Sequence, residues 1–165
     1  MKNNTNQKAL LSGGCFWGVQ YYFDEVPGVQ KTTVGYTGGH TKNPTYEEVC
    51  THTTGHAEAV LIEFDPLKVS YDNLLKHFFR LHDPTTLNRD GPNIGDSYRS
   101  AIFYFDNSQK ISAQNVLRAC QSDYKDPIVT EITPASEFYE AEDDHQKYTE
   151  RTGVGFCHKP YEPIK

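Results

Sequence analysis

Residues 9–26 read Ala9-Leu10-Leu11-Ser12-Gly13-Gly14-Cys15-Phe16-Trp17-Gly18-Val19-Gln20-Tyr21-Tyr22-Phe23-Asp24-Glu25-Val26, and within them the hydrophobic pattern changes period once. Ala9-Leu10-Leu11 reads as a short strand and Gly13-Gly14 as a turn. Beyond the turn, Val19, Tyr22, Phe23 and Val26 fall at the i, i+3, i+4, i+7 spacing of one helical face, and Pro27-Gly28 ends the helix. Cys15 stands where the turn enters the helix. A thiol in a first helical turn meets free backbone N–H groups and the positive end of the macrodipole, both of which favour thiolate, the form that attacks and oxidises. The competing reading is a buried structural cysteine, because Cys is among the most buried residue types. Phe16 and Trp17 beside it either form a small aromatic pocket, suited to a methyl group on a polar reacting centre, or are ordinary core.

Outward from this unit, strands and helices alternate. Val29 to Tyr36 reads as a strand, and Tyr36 to Tyr46 as a loop rich in turn residues. Ala57 to Phe64 is the clearest strand, with Glu58, Val60, Ile62 and Phe64 alternating onto one face. Ser70 caps a helix with the stripe Tyr71, Leu74, Leu75, Phe78 and His82, halted by Pro84. Arg99 to Phe105 reads as a strand, Asn107 to Tyr124 as a helix, Ile128 to Ile132 as a strand, and Glu140 to Tyr148 as a short surface helix. The alternation predicts α/β layer packing with a sheet covered mainly on one side.

The chain has 165 residues and four cysteines, with 16 basic against 22 acidic residues for a formal charge of −6. It contains no repeat, low-complexity tract or linker, so one domain over 1–165 is expected, with a flexible start at about 1–7 and a flexible tail at about 150–165. No apolar run approaches the roughly 18 residues of a membrane span, and Met1 to Lys8 is polar where a signal peptide would be apolar. A cytoplasmic protein is the expectation. The absence of a basic tract argues against nucleic acid or anionic membranes as partners. Without a C-x-x-C pair, the cysteines argue for catalytic or buried thiols over a zinc ribbon or disulfide framework.

Glu58 shares its strand face with three core residues, so the alternation aims its carboxyl inward. A desolvated carboxyl holds its proton at higher pH and can serve as a general acid. The alternative is that Glu58 lies at the exposed start of the strand and pairs with a lysine. Tyr46 and Tyr98 sit beside Gly, Pro or Asn, where a phenol can reach a ligand. Cys120 lies on the helical stripe Ala113, Val116, Leu117, Cys120, Tyr124 and reads as core. Cys50, eight residues before Glu58, is either buried beside the site or a spare thiol. Two rival classes draw on the same residue types. Cys50, His52 and His56 with Cys157 and His158 offer metal-ligand chemistry but match no common zinc spacing. Cys15 with His56 could form a thiol hydrolase, but no third residue to orient the imidazole is evident.

The ordered set Gly14-Cys15-Phe16-Trp17-Gly18, Gly35-Tyr36-Thr37-Gly38-Gly39, Asn43-Pro44-Thr45-Tyr46, Gly55-His56-Ala57-Glu58-Ala59-Val60, His82-Asp83-Pro84, Tyr98-Arg99-Ser100 and Ala141-Glu142-Asp143-Asp144-His145-Gln146 resembles the peptide methionine sulfoxide reductases of A type, from Leu11 to about Cys157. The resemblance implies a two-layer α/β plait, a ferredoxin-like core elaborated with long loops. It implies thiol-dependent reduction of methionine-S-sulfoxide, protein-bound and free, with no metal or organic cofactor. Cys15 would attack the sulfoxide sulfur, Phe16 and Trp17 would hold the S-methyl, and Glu58 with Tyr46 and Tyr98 would handle the oxygen. Cys157, in the glycine-rich tail Gly153 to His158, would resolve the Cys15 sulfenic acid as a disulfide, which thioredoxin would reduce. One position departs from the resemblance: Asn93 stands where many relatives carry an Asp that organises the pocket, and Asp96 is a candidate substitute.

Overall fold

The computed structural model describes residues 6–157, and in it the change of period after Leu11 is a change of element. β1 (Gln7–Ser12) stops at the glycine turn, and α1 (Phe16–Asp24) begins just past Cys15. There follow β2 (Val29–Thr37), α2 (Tyr46–Cys50), β3 (Ala57–Phe64), α3 (Tyr71–Leu81), β4 (Arg89–Asp90), β5 (Asn93–Ile94), β6 (Ala101–Tyr104), α4 (Asn107–Cys120), β7 (Glu131–Pro134), β8 (Phe138–Glu140) and α5 (Tyr148–Thr152). Six strands form one mixed sheet in the order β7-β6-β1-β3-β2-β8, and β4 with β5 makes a separate hairpin. Only β6 and β7 run parallel among the six.

The period-2 alternation sorts the sheet into two faces. Ala9, Leu11, Val34, Tyr36, Val60, Ile62, Phe64 and Ile102 join residues of α1, α3 and α4 in one large core, while Leu10, Ala57, Ala59, Ala101 and Phe103 form a smaller cluster. The expected one-sided cover is what the helices provide. Each fully buried aromatic in the large core, such as Phe23, Phe64 or Phe78, contributes about 1.5–3 kcal/mol. Local chemistry fixes the helix starts: Ser70 Oγ accepts the Asn73 N–H at 3.1 Å and Asp106 Oδ1 the Gln109 N–H at 2.9 Å, each cap being worth about 1 kcal/mol. Cys120 is half-buried against the large core.

One element was not expected, and two expectations are corrected. The loop from Tyr36 to Tyr46 ends in a helix, α2, started by a capping box in which Thr45 Oγ1 accepts the Glu48 N–H and the Glu48 carboxylate accepts the Thr45 N–H. The strand expected at 128–132 is displaced to Glu131–Pro134, because Ile102 pairs with Ile132 and extends the sheet from there. The helix expected over 140–148 does not form. β8 pairs with the edge of β2 through Tyr36 and Tyr139, the Gln146 amide then bonds both the N–H and the C=O of Val34, and Lys147 takes φ 57° before α5 begins.

Lys147 fastens this C-terminal segment to the body. Its N–H donates to Gln20 Oε1 at 2.8 Å, and its ammonium reaches Asp24 Oδ2 at 2.7 Å and Thr32 Oγ1 at 3.0 Å. Among the described residues no helix is long and apolar enough to cross a membrane. The outermost parts of the two expected flexible ends, 1–5 and 158–165, lie outside the described residues, as does His158.

Candidate active site

Cys15 is the N-cap of α1, not a residue of its first turn. The N–H groups of Trp17 and Gly18 point at its sulfur and favour thiolate, as the position in the sequence predicts. Burial outweighs them. Desolvation first, and the neighbouring Glu58 carboxyl second, push the thiol up to about 12, so the preference of the helix start for thiolate does not decide the resting state. A local rule set the sign of one contribution, and tertiary burial set the sign of the sum.

Glu58 is inward, as the alternation requires, and only 1% exposed. Its Oε1 accepts the Phe16 N–H at 3.1 Å, while Oε2 is buried without a hydrogen-bond partner. Desolvation raises the carboxyl to about 8 against the pull of that N–H. At neutral pH it is therefore mostly protonated, a donor in an apolar wall. Tyr46, the first residue of α2, and Tyr98, at the end of a 3-10 turn (Asp96–Tyr98), both feel the Glu58 charge. Burial and then Glu58 push both phenols well above their ordinary range, which keeps them as O–H donors. Cys50 hydrogen-bonds the Tyr46 phenol and feels Glu58 second only to that bond and to burial, so it lies beside the site and is not remote.

The aromatic wall is built from distant segments. Phe16 is 1% exposed, its ring 5.7 Å from Tyr36 and 6.4 Å from Tyr46. Trp17 is half-buried and stacks on Tyr148 at 3.9 Å, and its indole N–H donates to His145 Nδ1 at 3.0 Å. His145 packs in turn 4.2 Å from Tyr46. Glu142 ties the same pieces together, accepting the Tyr36 phenol at 2.8 Å on one oxygen and the Tyr46 N–H at 3.0 Å on the other. Sequence reading quoted the segment Ala141 to Gln146 but gave no role to Glu142 or His145. His145 is buried and Glu142 exposed, a difference that the polar run around them does not announce.

A cleft of about 250 Å³ opens on the other side of Cys15, lined by Trp17, Asp90, Asn93, Phe156 and Cys157. Cys157 lies over Gly18, where an added Cβ would meet its N at 2.6 Å and its sulfur at 2.9 Å. Only a glycine admits that approach. Burial first and the Asp90 carboxylate second push the Cys157 thiol up to about 12. Asn93 reaches the cleft from β5, but Asp96 does not line it. Asp96 stands 3.6 Å from the His52 ring, and the cleft's carboxylate comes from Asp90 on β4, opposite Asn93 in the hairpin register.

The rival constellations separate. His56 spends both ring nitrogens on the loop after β2, accepting the Gly39 N–H at 3.0 Å and meeting Thr41 O at 2.7 Å, so it is not a base for Cys15. Among the described residues no three His, Cys, Asp or Glu side chains are grouped to hold a metal ion.

The arrangement offers a half-buried thiol, a buried carboxyl and two phenols that act on one another electrostatically, with a second thiol seated over the first turn of α1. Comparison with known proteins gives the family. The family model for peptide methionine sulfoxide reductase matches residues 7–165. The peptide methionine sulfoxide reductase MsrA of Methanosarcina acetivorans is 54% identical over 149 residues, covering 89% of this chain and 79% of its own. The structure of methionine sulfoxide reductase A of Corynebacterium diphtheriae superposes with a TM-score of 0.88 at 35% identity, covering 99% and 82% of the two chains. Reduced Mxr1 of Saccharomyces cerevisiae gives 0.88 at 29% identity over 96% and 93%, and Mxr1 in complex with Trx2 gives 0.62 at 22% over 90% and 89%. On a match that runs through every element of the sheet and both sides of Cys15, this chain belongs to the A-type peptide methionine sulfoxide reductases and is an oxidoreductase.

Proposed function

We propose that this chain reduces methionine-S-sulfoxide, protein-bound or free, by direct oxygen transfer to Cys15. The observation that carries the reading is Glu58, a carboxyl buried to 1% exposure whose Oε2 has no hydrogen-bond partner and whose charge raises the Cys15 thiol. The sulfoxide oxygen is taken by Glu58 with Tyr46 and Tyr98, and the S-methyl rests on Phe16 and Trp17. Glu58 gives its proton to the oxygen as the Cys15 sulfur attacks, and the thiol proton returns to the vacated carboxylate. A high thiol pKa suits this exchange, because proton loss at sulfur and proton gain at oxygen are coupled. The sulfoxide sulfur is reduced by two electrons, methionine leaves, and Cys15 becomes a sulfenic acid.

Cys157 then attacks that sulfenic acid, giving a Cys15–Cys157 disulfide and water. Its seat over Gly18 supports this part of the reading. The disulfide passes to a dithiol partner by exchange, and thioredoxin is the proposed partner, supported by the yeast relative crystallised with Trx2. Thiols supply every electron, so the cycle needs no metal or organic cofactor, and a reducing cytoplasm is its natural setting. The S assignment rests on the family. The single-domain reading rests on the one six-stranded sheet that both buried clusters share, and the plait on the succession β1-α1-β2-β3-α3-β6 with strand order β6-β1-β3-β2.

The test is stoichiometric. Without reductant, Cys157→Ser should release about one methionine per enzyme and hold a sulfenic acid on Cys15 that a 1,3-diketone traps. Wild type should lose two free thiols per methionine. Cys50→Ser should keep thioredoxin-driven turnover. Methionine formation by Cys15→Ser would defeat the reading, and a stalled Cys50→Ser beside an active Cys157→Ser would reassign the resolving thiol.

A further inference from the structure

We propose that Asp90 carries the proton of the resolving step, accepting it from the Cys157 thiol and delivering it to the hydroxyl that leaves Cys15. The proposal rests on Cys157 being the resolving thiol. The resemblance called for a carboxylate at position 93, and this chain has Asn there. The hairpin of β4 and β5 nonetheless brings a carboxylate to the same cleft from the register partner of Asn93.

Asp90 is built in, not draped over a surface. It is 3% exposed, and its Oδ1 accepts the Asp83 N–H at 3.1 Å. Its Oδ2 lies against the Gly14 backbone, where a Cβ would stand only 2.3 Å away. Gly14 is the residue before Cys15, so one end of the carboxylate is fixed beside the attacking cysteine's own turn. The same carboxylate acts on Cys157, whose sulfur lies over Gly18. Asp90 thus shares one cleft with both reacting sulfurs. Glu58 is committed elsewhere, bonded to the Phe16 N–H on the oxygen-handling side. The site holds two carboxyls, and each stands beside a different proton transfer.

Resolution needs such a carrier. With its thiol pushed up to about 12, Cys157 is thiolate in only about one molecule in 10⁵ at pH 7. A sulfur that stays protonated attacks poorly, and hydroxide leaves a sulfenic acid poorly. In the proposed step the Cys157 S–H bond breaks toward Asp90 as the S–S bond forms and the Cys15 S–O bond breaks. The proton then passes from Asp90 to the departing hydroxyl, which leaves as water. Cys157 sulfur is oxidised by one electron, Cys15 sulfur is reduced by one, and Asp90 ends as the carboxylate it began.

Asp90→Asn is close to isosteric and keeps the oxygen that holds the Asp83 N–H. In the full chain without reductant, methionine, diketone-trapped sulfenic acid and free thiols are followed together. The expected result is a methionine burst that still reaches about one per enzyme, sulfenic acid that accumulates, and disulfide formation slowed by about 10²- to 10⁴-fold. Asp90→Glu, which retains a carboxyl, should resolve faster than Asp90→Asn. If Asp90 only repels a Cys157 thiolate, Asp90→Asn will resolve as fast as wild type or faster, and the proposal is overturned. The underlying reading fails separately: a Cys157→Ser enzyme that still loses two thiols per methionine removes Cys157 and leaves Asp90 without a partner.

Discussion

Replacing Glu58 by Gln should make the protein a much poorer catalyst and a more stable fold, with the gain in stability growing as pH rises. The folded carboxyl titrates at about 8 against an ordinary value of 4.5. Below pH 4.5 both folded and unfolded chains carry the proton, and Glu58 has no effect on the pH dependence of stability. Between 4.5 and 8 the unfolded chain releases the proton while the folded chain keeps it, so stability falls with rising pH. Above 8 both are ionised and the loss levels off. At 1.36 kcal/mol per unit, the burden is about 3 kcal/mol at pH 7 and approaches about 5 kcal/mol above pH 8. Gln keeps an oxygen for the Phe16 N–H and cannot ionise, so it removes the pH-dependent part. Thermal melts of both proteins from pH 4.5 to 9 should diverge, with the variant gaining about 6–12 °C on wild type between pH 4.5 and 7. Single-turnover methionine formation at pH 7 should fall by about 10²- to 10⁴-fold. A difference in melting temperature that does not change with pH would refute the burial argument, whatever the activity did.

Gly18→Ala should favour α1 by about 1 kcal/mol from helix propensity while driving the tail off its seat, since the new methyl would meet Cys157 at 2.6 to 2.9 Å. Methionine release in one turnover should persist and the loss of free thiols should slow by about 10²-fold, read by thiol titration against time. His145→Phe keeps a ring between Trp17 and Tyr46 but strips the indole N–H of its acceptor. KM should rise more than kcat falls, with about 1 kcal/mol lost from stability, measured by steady-state kinetics and denaturant melts.

What the sequence made legible was whatever a local period could carry. Glu58 was aimed inward by the alternation that made Val60, Ile62 and Phe64 core, and the register of Tyr36 against Glu58 completes what that alternation began. Cys15 was placed by the change of period around it. Its protonation state was not readable, because burial is summed over the whole fold and not over one turn. His145 and Glu142 were missed for a related reason: their partners Trp17 and Tyr36 lie 128 and 106 residues away. Asp90 was missed although it stands as far along the chain from Asn93 as Asp96 does, because only the β4–β5 hairpin decides which of them reaches the cleft. α2 was a different failure, since Thr45 and Glu48 announce it at the spacing of a capping box. The acidic run after Phe138 has a helix's composition, but the open edge of β2 supplied better hydrogen bonds for its first part.

The Lys147 clasp sets the length of a leash. Lys147 is bolted to Gln20, Asp24 and Thr32, and α5 follows it to Thr152. From there only residues 153–157 separate the last anchored turn from the Cys157 sulfur. Five residues fully extended reach at most about 17 Å, so in the proposed cycle Cys157 meets an incoming dithiol without leaving the neighbourhood of Cys15. A thiol confined to so small a volume meets Cys15 at a local concentration that dissolved peroxide does not approach. On the proposed cycle the tether therefore decides a race as well as a position, with disulfide formation set against further oxidation of the sulfenic acid.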